Sequence, residues 1–308
     1  MRSQPLPIFR QARWLELSLD YRCNLRCLGC RACLGGDEAL PTERALLRMK
    51  QARASGVQRL WLGGGEPTLR PELPSLLRAA RSLGFRERLV QTNGVRLAYA
   101  PYRQALLDAG LTSLRLNLKS ADAALHDGLC ASPGAHALLD QALAGLADSS
   151  LSLAGDLLLT RRTLPGLSAT LRHYAERGVR AFSFWLLSAQ DTDDPSLPGE
   201  IPSPGALVAA LRAAAEVAAE LSLALESLHT PWCLLPEDLR GLFRPAADWG
   251  LVVVDPSDRP FSLEDSPMEG GAYLPDCERC ARRAGCPGPR KDYLAAHGPE
   301  AFRPIAPS

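Results

Sequence analysis

Cys23, Cys27 and Cys30 stand at C-x3-C-x2-C, directly after the short apolar run from Trp14 to Leu19. Three thiolates on so tight a loop can converge on one iron–sulfur cube or one soft metal ion. A four-iron cube held by three cysteines leaves one iron open to bind and activate a ligand. A closed zinc site is the competing reading of this loop, with Cys33 as its fourth ligand. A second set lies in the tail. Cys277, Cys280 and Cys286 follow C-x2-C-x5-C, and Cys233 lies upstream in Thr230-Pro231-Trp232-Cys233. Four thiolates close a four-iron cluster completely, and a zinc site takes the same number. The two cysteines outside these sets, Cys33 and Cys130, read by default as small buried hydrophobes.

Two polar turns between apolar runs are the next candidates. Gly63-Gly64-Gly65-Glu66-Pro67-Thr68 follows Val57–Leu62, where a ligand-binding turn belongs. Its glycines allow positive φ and close backbone approach. It lacks the Lys-Ser/Thr of a phosphate-binding loop. Glu66 is suited to hold a cation through a charge-assisted hydrogen bond. Gln91-Thr92-Asn93-Gly94 ends the following apolar run, and Asn-Gly is ordinary turn chemistry. The five histidines (126, 136, 173, 229 and 297) are scattered, without ligand spacing.

These groups must be carried by a regular frame, and the pattern supplies one. Strands are expected at Trp14–Leu19, Val57–Leu62, Leu89–Gln91, Ser113–Leu118, Leu151–Leu159 and Val179–Leu187. Helices are expected at Thr42–Ala54, Pro71–Leu83, Pro101–Ala109, Gly134–Leu146 and Leu167–Arg177. Such alternation means a parallel sheet with helices outside, either curled into a full or partial barrel or doubly wound. Asp191–Gly205 is rich in Pro, Asp and Ser and reads as a linker. Ala206–Ala219 is a helix with an apolar stripe at Leu207, Leu211, Ala214, Val217 and Leu221. Leu251–Val254 and Phe261–Leu263 read as a hairpin, and a Pro- and Cys-rich coil ends the chain.

The 308 residues suffice for one large domain, or one with an appendage. A net charge of +1 carries no basic excess of the kind that announces nucleic-acid binding. The most apolar long run, Ala206–Leu225, is interrupted by Arg212, Glu216 and Glu220 and is not a membrane span. Clustered cysteines without a signal-peptide pattern point to metal ligation in a reducing cytoplasm.

The cysteine loop followed by Gly64-Gly65-Glu66-Pro67 resembles the signature of the radical S-adenosylmethionine (SAM) superfamily. The resemblance covers residues 14 to 187 and implies a partial (β/α)6 barrel. It implies that Cys23, Cys27 and Cys30 hold a [4Fe–4S] cluster whose fourth iron is chelated by the amino and carboxylate groups of SAM. One electron from the cluster would cleave SAM to methionine and a 5′-deoxyadenosyl radical, which abstracts hydrogen from a substrate C–H bond. Gly64, Gly65, Glu66 and Pro67 would bind the SAM ammonium, and Thr92 and Asn93 would contact SAM from the third strand end. Asn117 would stand where the family's serine touches the SAM carboxylate or ribose. Two departures stand out. Lys119 replaces a common aspartate and marks the substrate rather than SAM. Gly29 replaces the aromatic residue that usually touches adenine, so adenine must find its apolar contact elsewhere, and Leu186 on the sixth strand is the candidate. Ser183, Trp185 and Leu187 alternate there with Phe182, Phe184 and Leu186, and one of the two faces would line the barrel.

The tail, with Gly288, Tyr293 and Gly298 after its cysteines, resembles the twitch or SPASM-like extensions of this superfamily. That implies one auxiliary [4Fe–4S] cluster on Cys233, Cys277, Cys280 and Cys286. The expected division is an N-terminal segment 1–13, a barrel 14–200 and an extension 201–308. The expected activity is hydrogen abstraction from a peptide, in the maturation of ribosomally made peptides. A small-molecule substrate (a sugar, nucleotide or cofactor precursor) is the alternative, and a non-catalytic iron–sulfur or zinc protein is the reading of another class. Cys130 is a candidate hydrogen-atom donor, as in radical SAM epimerases. A flavodoxin- or ferredoxin-type electron donor completes the expected partners, with neither membrane nor nucleic acid among them.

Overall fold

The computed structural model describes residues 6–30, 36–189, 194–266 and 271–306. In chain order its regular elements are β1 (Trp14–Ser18), α1 (Thr42–Ala54), β2 (Arg59–Gly63), α2 (Leu73–Ser82), β3 (Glu87–Thr92), α3 (Ala100–Asp108), β4 (Ser113–Leu118), α4 (Ala123–Cys130), α5 (Ala135–Ala144), β5 (Ser152–Leu159), α6 (Leu167–Glu176), β6 (Ala181–Leu186), α7 (Pro204–Leu221), β7 (Ala224–Ser227), β8 (Leu251–Val254), β9 (Pro260–Ser262) and α8 (Lys291–His297). The expected α/β alternation is present. Two compact units are formed, one from Met1–Leu118, Ala123–Gly155 and Trp249–Leu263, the other from Lys119–Asp122, Asp156–Asp248 and Glu264–Ser308. This spatial division does not follow sequence order near residue 200, because residues 249–263 belong with the first unit.

In the first unit the strand order is β4-β3-β2-β1-β8-β9. β1 to β4 and β8 run parallel, with Glu16 opposite Trp61 and Gln91 opposite Arg115, while β9 pairs antiparallel with β8. The order never returns to its first strand, so the sheet is open, consistent with a partial barrel. Parallel strands require crossovers, and α1, α2 and α3 supply them. On β1 the buried residues alternate, Leu15 and Leu17 facing inward to the helices. The expected hairpin exists, but its first strand is paired with β1 as a continuation of the parallel sheet. Leu251-Val252-Val253-Val254 is buried throughout, as a strand flanked on both sides must be. Asp258, in the β8–β9 turn, ties this hairpin to α1 by accepting from Arg44 at 2.6 Å and Arg48 at 2.7 Å.

In the second unit β6 and β7 pair parallel. α7 starts at Ser203, whose hydroxyl accepts from the Ala206 N–H, with Pro204 at its first position. It buries Leu207, Leu211, Ala214, Val217 and Ala218 and stops at Ser222, which takes φ +54°. Leu221, expected in the stripe, is only half-buried. Of the expected linker, residues 194–205 are described, and Leu197–Glu200 forms a 3-10 turn there.

Candidate functional site

The cysteine loop is built by its neighbours in the first unit. Within the loop, the Cys30 N–H donates to the Cys27 carbonyl at 3.1 Å, closing a turn whose third residue, Gly29, takes φ +66°. Such a turn needs a residue free of the Cβ penalty at that position, which accounts for glycine where the superfamily usually has an aromatic. The outer edge of the loop docks on the end of α4, the Arg26 N–H donating to the Cys130 carbonyl and the Leu28 N–H to the Leu129 carbonyl. Cys130 is 1% exposed and packs with Leu25 and Ala135, against which Cys23, Cys27 and Val95 also lie. The candidate hydrogen donor is thus part of the apolar bed under the loop.

The lead-in to the loop is gripped by the glycine turn. Leu19 N–H donates to the Gly63 carbonyl, Gly65 N–H to that of Asp20 at 2.7 Å, and Glu66 N–H to that of Arg22 at 2.8 Å. Gly64 takes φ +123°, and a Cβ there would stand 2.6 Å from the Asp20 carbonyl oxygen. A Cβ on Gly65 would stand 2.6 Å from the Tyr21 carbonyl carbon and closer still to the Arg22 oxygen. The glycines therefore permit close approach, and what approaches is the backbone that leads into Cys23. Asp20 and Arg70, which the sequence reading passed over, complete this grip. Asp20 is buried against the Arg22 guanidinium at 2.8 Å, and buried Arg70 donates to the Leu19 carbonyl at 3.1 Å and to that of Leu40. The available signal was Asp20 beside the end of β1 and Arg70 just after the Pro67–Leu69 turn, charged residues next to apolar segments, where burial demands partners.

Glu66 is 1% exposed. Its Oε1 accepts from the Thr68 N–H at 2.9 Å, the Thr68 hydroxyl at 2.6 Å and the Thr92 hydroxyl at 2.7 Å, and its Oε2 accepts from the Asn93 N–H at 2.8 Å. Burial pushes its carboxyl pKa up, and these four donors oppose the shift. Asn93 carries the network onward: its amide donates to Asn24 Oδ1 at 2.8 Å and lies 3.9 Å from Cys23 Sγ. One carboxylate thus joins the ends of β2 and β3 to the cysteine loop. Glu66→Ala is expected to orphan these donors, at a cost on the order of 4 kcal/mol, and to lower the melting temperature by roughly 10 °C. A thermal melt checks this, and an unchanged transition would contradict it.

The fit of this loop to a metal cluster follows from its donor set. Burial pushes the Cys23 thiol up to about 11, with Glu66, Cys27 and Cys30 adding to the shift and the Leu25 N–H opposing it. Neighbouring thiols that resist ionisation in this way become thiolates when a cation supplies the compensating charge. Cys33 lies outside the described residues. Asn117, on β4, is half-buried.

In the second unit, Lys119 is buried. Leu186 shares the buried face of β6 with Phe182 and Phe184, and its carbonyl accepts from Arg290 at 2.9 Å. The opposite face carries Ser183, bonded to Glu226, and Trp185, whose Nε1 donates to Asp156 at 3.0 Å. The four tail cysteines line one pocket, walled by Trp232, Tyr273 and Phe302. Burial pushes the Cys233 thiol up to about 12, with Cys286, Cys277 and Cys280 adding to it, and Cys286 is raised likewise. Backbone N–H groups already point at sulfur: Gly288 at Cys286 and Ile305 at Cys280, each at 3.4 Å. Such bonds stabilise thiolate held by a metal. Arg290 pairs with Asp292, which also accepts from the Ala189 N–H, so the coil is fastened to the end of β6. Among the described residues no helix is long and apolar enough to cross a membrane.

Comparison with known proteins gives this geometry its context. Residues 17–143 match the sequence profile of the radical SAM superfamily. A GTP 3′,8-cyclase of Synechococcus elongatus is 38% identical over 149 residues, 44% of this chain and 43% of that protein. The chain spans less than half the length of the curated relatives it matches. Among solved structures, SuiB of Streptococcus suis bound to S-adenosylmethionine superposes with a TM-score of 0.72 at 15% identity, over 99% of this chain and 77% of that one. The peptide-bound anSMEcpe with AdoMet gives a TM-score of 0.65 at 13% identity, over 95% and 93%. At those identities the likeness is one of fold. The family implies a [4Fe–4S] cluster and SAM. The likeness to the radical SAM superfamily profile thus spans residues 17–143, and the solved structures share the fold.

Proposed function

We propose that this protein is a radical SAM enzyme acting on a small molecule, with a purine nucleotide as the first class to test. The observation that carries the substrate class is the 38% identity to a protein named GTP 3′,8-cyclase. The peptide substrate expected from sequence gives way to its alternative, because the solved peptide-bound relatives share the fold alone at 13–16% identity. In this reading Cys23, Cys27 and Cys30 hold the SAM-binding cluster. When bound, the cluster and SAM supply a one-electron cleavage that yields a carbon radical able to take hydrogen from substrate.

The chain's own residues hold that chemistry in place. Gly64 and Gly65 let the turn lock the lead-in of the cysteine loop. Glu66, with one donor on Oε2, keeps acceptor capacity for the SAM ammonium. Pro67, Thr92, Asn93 and Asn117 complete the SAM contacts. Cys130, packed under the loop, is assigned as a hydrogen-atom donor only in this proposal.

Cys233, Cys277, Cys280 and Cys286 hold an auxiliary [4Fe–4S] cluster. That cluster ligates substrate or accepts the electron left when a substrate radical is oxidised. A flavodoxin- or ferredoxin-type protein delivers the reducing electron, in the cytoplasm. The glycine–Glu66 turn favours an enzyme over an electron carrier, which needs no ammonium site. Reconstituted protein with SAM, dithionite and GTP is expected to consume GTP and raise 5′-deoxyadenosine above the GTP-free level. No response to GTP, with a response to a peptide substrate, would overturn the small-molecule reading.

A further inference from the structure

The charges around the tail thiols are not evenly matched. The pocket lined by Cys233, Cys277, Cys280 and Cys286 has Asp276, Arg282 and Arg283 in its wall. Asp276 has a cationic partner, its carboxylate accepting from Arg279 at 2.6 Å. Arg282 and Arg283 make no ion pair with any carboxylate among the described residues. They lie instead over the aromatic wall, Arg282 at 5.4 Å from the Trp232 ring centroid and Arg283 at 3.2 Å from that of Tyr273. Such stacking holds a guanidinium in place without cancelling its charge.

The coil that carries both arginines is held shut. The Tyr273 hydroxyl donates to the Cys286 carbonyl at 2.8 Å, and the Ala272 N–H to the Pro289 carbonyl at 2.8 Å. At that crossing a Cβ on Gly271 would stand 2.5 Å from the Gly288 carbonyl oxygen, so the two backbones touch. The wall is therefore fixed before any group enters the pocket. A cube on four thiolates has no iron left open, is an anion when oxidised, and gains one more negative charge when reduced. Adding that electron beside apolar walls is costly, and fixed positive charge nearby lowers the cost. The Gly288 and Ile305 N–H groups aimed at sulfur act in the same sense.

We propose that Arg282 and Arg283 bias the tail cluster toward its reduced state, which suits it to accept an electron rather than to ligate substrate. The inference rests on the auxiliary-cluster reading above and chooses between the two roles given there. Arg282 and Arg283 are positioning residues in this role, acting on the cluster through their charge alone. In turnover a substrate carbon radical gives one electron to the tail and one proton to water, and the flavodoxin- or ferredoxin-type protein takes that electron away. Both arginines are exposed, so solvent and salt screen them and the effect is moderate.

The test uses the full chain, reconstituted anaerobically with iron and sulfide, in a mediated redox titration read by electron paramagnetic resonance. The Cys23/Cys27/Cys30 alanine variant assigns the tail signal, and iron analysis confirms loading in every protein. Arg282→Gln with Arg283→Gln is expected to lower the reduced-to-oxidised ratio of the tail cluster at a fixed potential by about tenfold, about 59 mV for a one-electron couple. Arg282→Lys with Arg283→Lys is expected to restore most of that ratio, because it keeps the charge and gives up the planar stacking. Asp276→Asn is expected to move the ratio the other way, because it removes a negative charge from the wall and releases that of Arg279. A loaded glutamine variant with the wild-type ratio would overturn the inference and leave the auxiliary cluster standing. Should the glutamine variant load no iron, Asp276→Asn decides, and the absence of its opposite shift would overturn the inference equally. Zinc, or no metal, in the tail of the wild type would overturn both readings.

Discussion

Replacing Cys23, Cys27 and Cys30 together by alanine is expected to lower the iron of reconstituted protein from about eight atoms per chain to about four and to abolish reductive cleavage of SAM. The first number follows from two sets of thiols, one of three and one of four, each of which fits a cube. The remaining iron is assigned by the proposal to the tail, where the three cysteines of Pro275–Cys286 and Cys233 line one pocket. The reciprocal variant, with Cys233, Cys277, Cys280 and Cys286 all changed to alanine, is expected to keep about four irons and its capacity to bind SAM. Iron analysis and electron paramagnetic resonance of the reduced proteins check both arms. Zinc in place of iron at the tail would contradict the auxiliary cluster. Full iron in the first variant would contradict the assignment of the loop.

The second large effect needs no change to any ligand. Gly65→Ala is expected to remove the first cluster almost as completely as loss of its cysteines. A methyl on Gly65 would overlap the Tyr21–Arg22 peptide, and retreat would break the hydrogen bonds from the Gly65 and Glu66 N–H groups to Asp20 and Arg22. Those atoms are backbone on both sides, so no side chain can turn aside. The loop would then lose the grip that sets where Cys23 begins. The proposed tail cluster would serve as an internal check of folding: iron at about four atoms per chain with no SAM cleavage is the expected result. Gly128→Ala is the control, since Gly128 lies within α4 and a Cβ there meets nothing within 4 Å. That variant is expected to be as stable as the parent or more so, by up to about 1 kcal/mol. A Gly65→Ala protein with full iron and full SAM cleavage would show that the glycine turn is incidental to the site.

Much of this architecture is legible in the sequence, and what is not has a physical reason. α1 and β4 occupy the expected residues because each is bounded by a clear change of period. The two thiol sets are legible because cysteine spacing is a local property. α4 escapes because Gly128 interrupts a segment of only eight residues, too short for periodicity to emerge. β7, four residues long with Glu226 inside, escapes for the same reason. The pairing of β8 with β1 joins residues more than two hundred apart, and no local pattern encodes it.

Glu66 illustrates the limit most sharply. Its type and position suggest a cation partner, whereas three of its four donors come from Thr68 and Thr92 side chains and the Asn93 backbone, placed there by the fold. Likewise, the glycines announce a close approach without saying to what. Glu16, Gln91 and Arg115 are polar interruptions of apolar strands in the sequence. Only the register of β1 to β4 gathers them on one face.

The measurement that bears most directly on this account is the reaction of the reconstituted wild-type protein with SAM and dithionite in the absence of substrate, followed by chromatography for 5′-deoxyadenosine. The account predicts 5′-deoxyadenosine and methionine in equal amounts, dependent on dithionite and absent from the Cys23/Cys27/Cys30 alanine variant. Iron-loaded protein that binds SAM and yields no 5′-deoxyadenosine, with or without GTP, would contradict it.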